Sequence, residues 1–235
     1  VIEEIDETIS QETLLKLYPP IQERNRCRAN LVTSINGSLA HKGLSRDLSS
    51  PVDRVIFHHL RAISSFVVVG ARTAIDEPYG PIGEYPKYSS LRDSLGLSKR
   101  PTLVVVATRD TGLDRFATLG AKDHKVIVFA PSEQPMAETY ETLELITMST
   151  NQEFYPSVIR TLLERSKGTV LVEGGPRLLT GLMDLSLVDE ICVTVAPKMV
   201  SKDEHVPLAG INDTDLRTIS ALKDKTHLYL RYGIG

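Results

Sequence analysis

Thr169-Val170-Leu171-Val172-Glu173-Gly174-Gly175-Pro176-Arg177-Leu178-Leu179 is the stretch whose reading decides the fold. An apolar, β-branched run meets a carboxylate, two glycines and a proline, and an amphipathic segment follows. That order predicts a strand over 169–172 running into a helix over 176–184, with proline at the first helical position. A strand apolar at every position is covered on both faces, as in a parallel sheet. At the turn, free backbone N–H groups and the positive end of the helix dipole can hold a phosphate. Gly174, Gly175, Pro176, Arg177 and Leu178 therefore form a candidate anion site, with Glu173 beside it to bind a sugar or substrate hydroxyl. A bare glycine pair also serves as a plain turn, and the full G-x-G-x-x-G fingerprint is not met.

The same grammar recurs outward from this motif. Phe66-Val67-Val68-Val69-Gly70-Ala71-Arg72-Thr73 is a second apolar strand delivering a glycine and a hydroxyl to a turn, so two phosphate-compatible turns could hold the two ends of one dinucleotide. The bland alternative is that Gly70 closes the strand and Thr73 caps a short helix. Before it, Ser49-Ser50-Pro51 opens a helix with a hydroxyl cap, proline in the first turn and Asp53 near the positive end. Strands are expected at 27–33, 102–107, 126–130, 143–148 and 191–196, and a helix at 156–165. Residues 216–222 and 227–232 alternate apolar and polar with a short connection, which predicts an antiparallel hairpin at the sheet edge. The fold class is α/β: a mixed, mostly parallel sheet with a C-terminal antiparallel hairpin and helices on both faces. Residues 1–25 are expected to form an N-terminal arm with one short helix near 12–17, followed by a single domain over 26–235. The Pro- and Gly-containing stretch 78–101 reads as a long loop.

The chain has 235 residues, 41% of them hydrophobic, enough for a substantial core. With 24% charged residues and a net charge of −3, nothing marks a nucleic-acid coat or a membrane surface, so any phosphate must be met locally. Cys27 and Cys192 form no C-x-x-C pair, and two buried thiols in a reducing cytoplasm are expected. No apolar run reaches spanning length and the first residues are acidic, so neither a membrane span nor a signal peptide is expected.

Arg61 lies on the helix after Pro51, where its forked donors could reach a substrate phosphate; a solvated helical arginine is the alternative. Thr108 and Arg109 follow a strand and would suit the 2′-phosphate of NADP. His58 and His59 are adjacent and cannot share one metal as an i, i+4 pair would, and no metal site is expected. No G-x-S-x-G or zinc-deaminase signature is present, and no catalytic acid or base stands out.

Taken together, Arg28-Ala29-Asn30-Leu31-Val32-Thr33-Ser34-Ile35-Asn36-Gly37, Ser49-Ser50-Pro51 with Leu60-Arg61-Ala62, Val67 to Thr73, Leu171 to Pro176, Leu187 to Glu190 and Ala196-Pro197-Lys198 resemble the reductase half of bacterial riboflavin biosynthesis. The resemblance covers roughly residues 26–232. It implies a dihydrofolate-reductase-like fold, NADPH as coenzyme and a cytoplasmic homodimer. The implied activity is that of a 5-amino-6-(5-phosphoribosylamino)uracil reductase, which turns the ribosyl group of a phosphoribosylamino-pyrimidine into ribityl. Carried over by position, Ser45, Arg61 and Glu173 bind substrate, with Arg61 on the phosphate. Val32, Thr33, Thr73, Asp76, Glu77, Thr108 and the segment 175–181 bind NADPH.

Asn30 stands where many members carry lysine, and Ser34-Ile35-Asn36-Gly37 replaces the usual Ser-Leu-Asp-Gly, so Asn30 and Asn36 each alter charge beside the implied substrate. Asp47 replaces an aromatic residue, and Pro78-Tyr79-Gly80-Pro81 replaces Asn-Pro-x-Leu. Two other functions fit these residues: reduction of a different pteridine-like or carbonyl compound, or nucleotide binding without turnover.

Overall fold

The computed structural model describes residues 2–21, 26–77, 79–109, 112–132, 140–166, 168–208 and 210–235. In chain order the elements begin with β1 (Glu3–Glu4), α1 (Gln11–Leu17), β2 (Cys27–Ser34), α2 (Pro51–Ala62), β3 (Ser64–Gly70), α3 (Ala71–Asp76), α4 (Ser89–Ser94) and β4 (Thr102–Val106). They continue with α5 (Asp114–Ala117), β5 (Val126–Pro131), β6 (Leu143–Met148), α6 (Phe154–Arg165), β7 (Thr169–Gly174), α7 (Pro176–Asp184), β8 (Glu190–Ala196), β9 (Leu216–Lys223) and β10 (Leu228–Ile234). Among the described residues, no helix is long and apolar enough to cross a membrane.

The strands form one ten-stranded sheet in the order β1-β9-β10-β8-β2-β7-β3-β4-β5-β6. From β8 to β6 every pairing is parallel; β10 is antiparallel to both β8 and β9. The hairpin predicted from alternation is therefore present. It is not the sheet margin, because β1 pairs parallel with β9 through Glu3↔Leu222 and Glu4↔Lys223. A two-residue strand carries no periodicity, which is why the sequence shows none there.

Alternate residues of the central strands feed two cores. Val67, Val69, Val105 and Leu171 pack under α2 and α1, while Val68, Val104, Val170 and Val172 pack under α6 and α7. Helix α2 starts as its sequence predicts: the Ser50 hydroxyl accepts the Asp53 N–H at 3.0 Å, with Pro51 at the first position. At the far end the buried Arg92 guanidinium from α4 donates to the carbonyls of Ala62 (2.6 Å) and Ser64 (3.1 Å). That contact corrects the expectation of one long loop over 78–101, which contains α4 and a 3-10 turn over Pro86–Tyr88. Both pieces are too short to show a periodic apolar face.

Two irregularities position the site. β2 and β7 pair only from Cys27↔Val170 to Ala29↔Val172; beyond that, β2 continues with β8 alone and β7 with β3. Where the two strands part, a cleft opens at the carboxyl ends of the parallel strands, the place where α/β sheets bind ligands. On the other side of β7 the register slips, with Val68↔Val172 followed by Val69↔Gly174. Glu173 is thus the extra residue of a β-bulge, a device that re-aims a side chain.

Candidate active site

The cleft encloses about 1590 Å³. On one of its walls two glycine turns meet, the one after Val69 and the one at Gly174-Gly175. Gly175 has φ +93°, and a β-carbon there would lie 3.2 Å from the Gly70 Cα and 3.4 Å from the Thr73 hydroxyl oxygen. Glycine is required at this position on both counts, conformation and space. Thr73 lies within α3, whose N-cap is Gly70, so it is not a cap, and its hydroxyl faces the second turn. The N-terminus of α7 has no side-chain cap, and its first turn, with Arg177 and Leu178, lines the cleft.

Glu173 and Arg61 meet across the bulge. Arg61 Nε and Nη2 each donate to a Glu173 carboxylate oxygen at 2.6 Å, and the Tyr79 hydroxyl donates to Oε2 at 3.1 Å. The Glu173 side chain is 1% exposed and that of Arg61 15%. The guanidinium lies 4.2 Å from the centre of the Phe57 ring, a cation–π contact. Burial works against the Arg61 charge, but the adjacent carboxylate outweighs it and holds the guanidinium more firmly protonated than usual. Burial, reinforced by the Glu173 charge, pushes the Tyr79 phenol well above its ordinary range. Arg61 is therefore not the solvated helical arginine that its sequence position also allowed, nor an unpaired cation. It reaches the cleft already neutralised, with its remaining N–H groups as donors.

The other expected site residues divide. Asn30, Val32, Ser45, Asp76, Glu77, Thr108, Arg109 and the segment 174–178 line the cleft. Ser45 is tied to Glu77, whose carboxylate accepts the Ser45 backbone N–H at 2.9 Å, and Asp76 is held at 3.0 Å by the Arg72 side chain. Thr33 and Asn36 do not line it. The Thr33 hydroxyl donates to the Ser34 carbonyl. Asn36 stitches its turn to a later loop: its amide accepts from the Ser34 hydroxyl and the Val200 N–H and donates to the Val200 carbonyl. Gly181, at the end of the segment implied to bind coenzyme, instead faces Tyr155, whose ring a β-carbon would meet at 2.4 Å.

Residues 27–230 match the RibD C-terminal domain. The chain belongs to this family. Among relatives, the RibD riboflavin biosynthesis protein of Aquifex aeolicus is 24% identical over 196 residues, covering 83% of this chain and 52% of that protein. The 2,5-diamino-6-ribosylamino-4(3H)-pyrimidinone 5′-phosphate reductase of Schizosaccharomyces pombe is 25% identical over 230 residues, covering 86% and 85%. The chain thus spans about half the length of the RibD proteins it matches. A pyrimidine reductase-like protein from Corynebacterium diphtheriae has the same fold, with a TM-score of 0.79, 23% identity and 97% and 99% of the two chains covered. Dihydrofolate reductase from Enterococcus faecalis, solved with NADP(H), superimposes with a TM-score of 0.50 at 12% identity over 92% and 99% of the chains. The dihydrofolate-reductase-like fold expected from sequence is therefore the fold of this RibD C-terminal domain.

Several residues of the RibD-type cleft escaped sequence reasoning. Phe57, His58, Tyr79 and Tyr85 form an aromatic side of it. Partial desolvation, then the Arg61 charge, lowers the His58 pKa. Asp53, which reads as an ordinary helix-start acid, lines the floor. Its carboxylate accepts the hydroxyls of Ser49 and Thr194, each at 2.6 Å. No local signal distinguishes it, because Thr194 is 141 residues away in sequence.

Proposed function

We propose that this chain is an NADPH-dependent reductase that converts the ribosyl group of a 5-amino-6-(5-phosphoribosylamino)pyrimidine to ribityl. The observation that carries the reading is the cleft at the β2/β7 split, with glycine turns on one side and the Arg61–Glu173–Tyr79 cluster on the other. The name of the S. pombe relative and the family match support it. The cradle fits a dinucleotide: two backbones approach with no β-carbon between them, and an uncapped helix start adjoins them.

In this reading the amides at 174–178, with Thr73, hold the diphosphate, Thr108 and Arg109 meet the adenosine end, and Asp76 and Glu77 border the coenzyme. Val32 borders the nicotinamide. Asn30, Ser45, Arg61 and Glu173 face the substrate. When bound, the coenzyme would supply a hydride to C1′ of the ring-opened sugar, whose imine nitrogen enters the site already protonated from solvent. The chain's task is alignment and exclusion of water rather than acid–base work, and no side chain is assigned as catalytic acid or base. Arg61, neutralised by Glu173, acts as an oriented donor to substrate. The protein works as a homodimer in the cytoplasm, with 26–235 as the reductase domain and 1–25 as an N-terminal arm.

Loss of reduced-nicotinamide absorbance with the phosphoribosylamino-pyrimidine as substrate tests the proposal. Saturable NADPH binding without consumption of coenzyme would instead make the protein a non-catalytic binder. One observation favours a second reading, a different carbonyl or pteridine-like substrate: Tyr79, a departure from the family pattern, occupies the Glu173 carboxylate. Turnover of such a compound, with none of the pyrimidine, would establish it.

A further inference from the structure

Resting on the reading above, we propose that Asp53 selects the form of the substrate whose pyrimidine carries an amino group at C2, as in a 2,5-diamino-pyrimidinone, over the form carrying an oxygen there. Asp53 sits on the face of the sheet covered by α2. On that face Asn30 and Val32 of β2 pair with Cys192 and Thr194 of β8, and the Thr194 hydroxyl reaches the acid. The residue is 8% exposed and lines the cleft. A carboxylate has about four acceptor positions; the hydroxyls of Ser49 and Thr194 take one on each oxygen. The rest have no further side-chain donor among the described residues and no cation paired with them, and Asp53 lines the cleft.

A 2-amino-pyrimidin-4(3H)-one presents two adjacent donors, the C2 amino group and N3–H, which match the two oxygens of one carboxylate. A uracil presents N3–H beside the O2 carbonyl, which sets an acceptor against an acceptor. Desolvating that mismatch is unfavourable, so the site discriminates by repulsion as well as by fit. The reduced product keeps its 2-amino group. Any hydrolytic deamination at C2 therefore acts after this reduction and not before it.

Two bases without ribose test the assignment on the coenzyme-loaded protein: 2,5,6-triamino-4(3H)-pyrimidinone and 5,6-diaminouracil, with affinities read by ligand-observed NMR. The wild-type protein is expected to bind the triamino base at least about tenfold more tightly, and Asp53→Asn to bring the ratio close to one. Equal affinities, a preference for the diaminouracil, or an unchanged ratio in the variant would overturn the proposal. If Asp53→Asn does not fold, Asp53→Ser keeps a small polar group at the helix start and gives the same readout, and the wild-type ratio decides independently of either. Neither probe requires hydride transfer. A retained preference in a protein that reduces neither phosphoribosylamino-pyrimidine would sink the reductase reading and leave this site standing.

Discussion

Replacing Gly175 by alanine, with Gly174→Ala as its control, tests the geometry on which the coenzyme wall depends. An alanine at φ +93° occupies a sparsely allowed backbone region, at a cost of order 1–3 kcal/mol. Its methyl would also lie 3.2 Å from the Gly70 Cα and 3.3 Å from its nitrogen, atoms that belong to backbone and cannot rotate away. At Gly174 no positive φ is required, and the added carbon would meet only the Thr73 methyl at 3.4 Å. There the reduced freedom of the unfolded chain offsets the contact, for a net change within about 0.5 kcal/mol. The two variants should therefore differ by roughly 2 kcal/mol, equivalent to about 4–8 °C in Tm for a chain of this length. Calorimetric melts measure that difference, and fluorescence titration with NADPH should show weaker binding in Gly175→Ala because the two turns are forced apart. If the two variants melt within about a degree of each other, the close approach of the turns is not a constraint and the cradle argument fails.

Breaking the Arg61–Glu173 pair should be costly from the arginine side. Arg61→Ala strands a buried carboxylate with only the Tyr79 hydroxyl, so urea unfolding should show a loss of about 3 kcal/mol, and Arg61→Met/Glu173→Gln should recover much of it; an additive double variant would argue against coupling. Stability should also fall on mild acidification because of His59. Its buried ring has one nitrogen 3.0 Å from the Tyr18 carbonyl, and burial pushes its pKa down to about 4. The unfolded chain takes up that proton first, near pH 6.5. Stability contributed by the neutral ring is thus whole above about 6.5 and is lost towards about 4, by roughly 3 kcal/mol in total. Urea midpoints measured across this window should decline less steeply in His59→Gln, and parallel slopes would show that His59 does not control the decline.

Much of the architecture was legible because each central strand is buried on both faces and so is a run of apolar residues, as in Val67-Val68-Val69 and Val170-Leu171-Val172. The start of α2 was legible from its cap, and the two glycine turns from their place after such strands. The chemistry of the site was less so. Arg61 and Glu173 were both singled out, yet their union depends on a register slip in β7 that no residue type announces. Their 112-residue separation hides the pairing further. Asn36 looked functional because it departs from a family pattern; in the fold its amide is consumed by Ser34 and Val200. Tyr79 and Asp53 gain meaning only from what faces them across the cleft.

Two guanidiniums, Arg28 and Arg231, share the one carboxylate of Glu190 in the interior, leaving a surplus positive charge there. The Pro19 and Leu17 carbonyls add to their solvation at 2.8 and 2.6 Å, and a few residues earlier β1 pairs with Leu222 and Lys223 at the end of β9. A polypeptide trimmed back to residue 26 would lose both at once: the excess charge would have to find water inside the fold, and the backbone groups of Leu222 and Lys223 would be left open to another molecule's strand. The leading segment thus shuts one end of an open edge as well as filling part of the core.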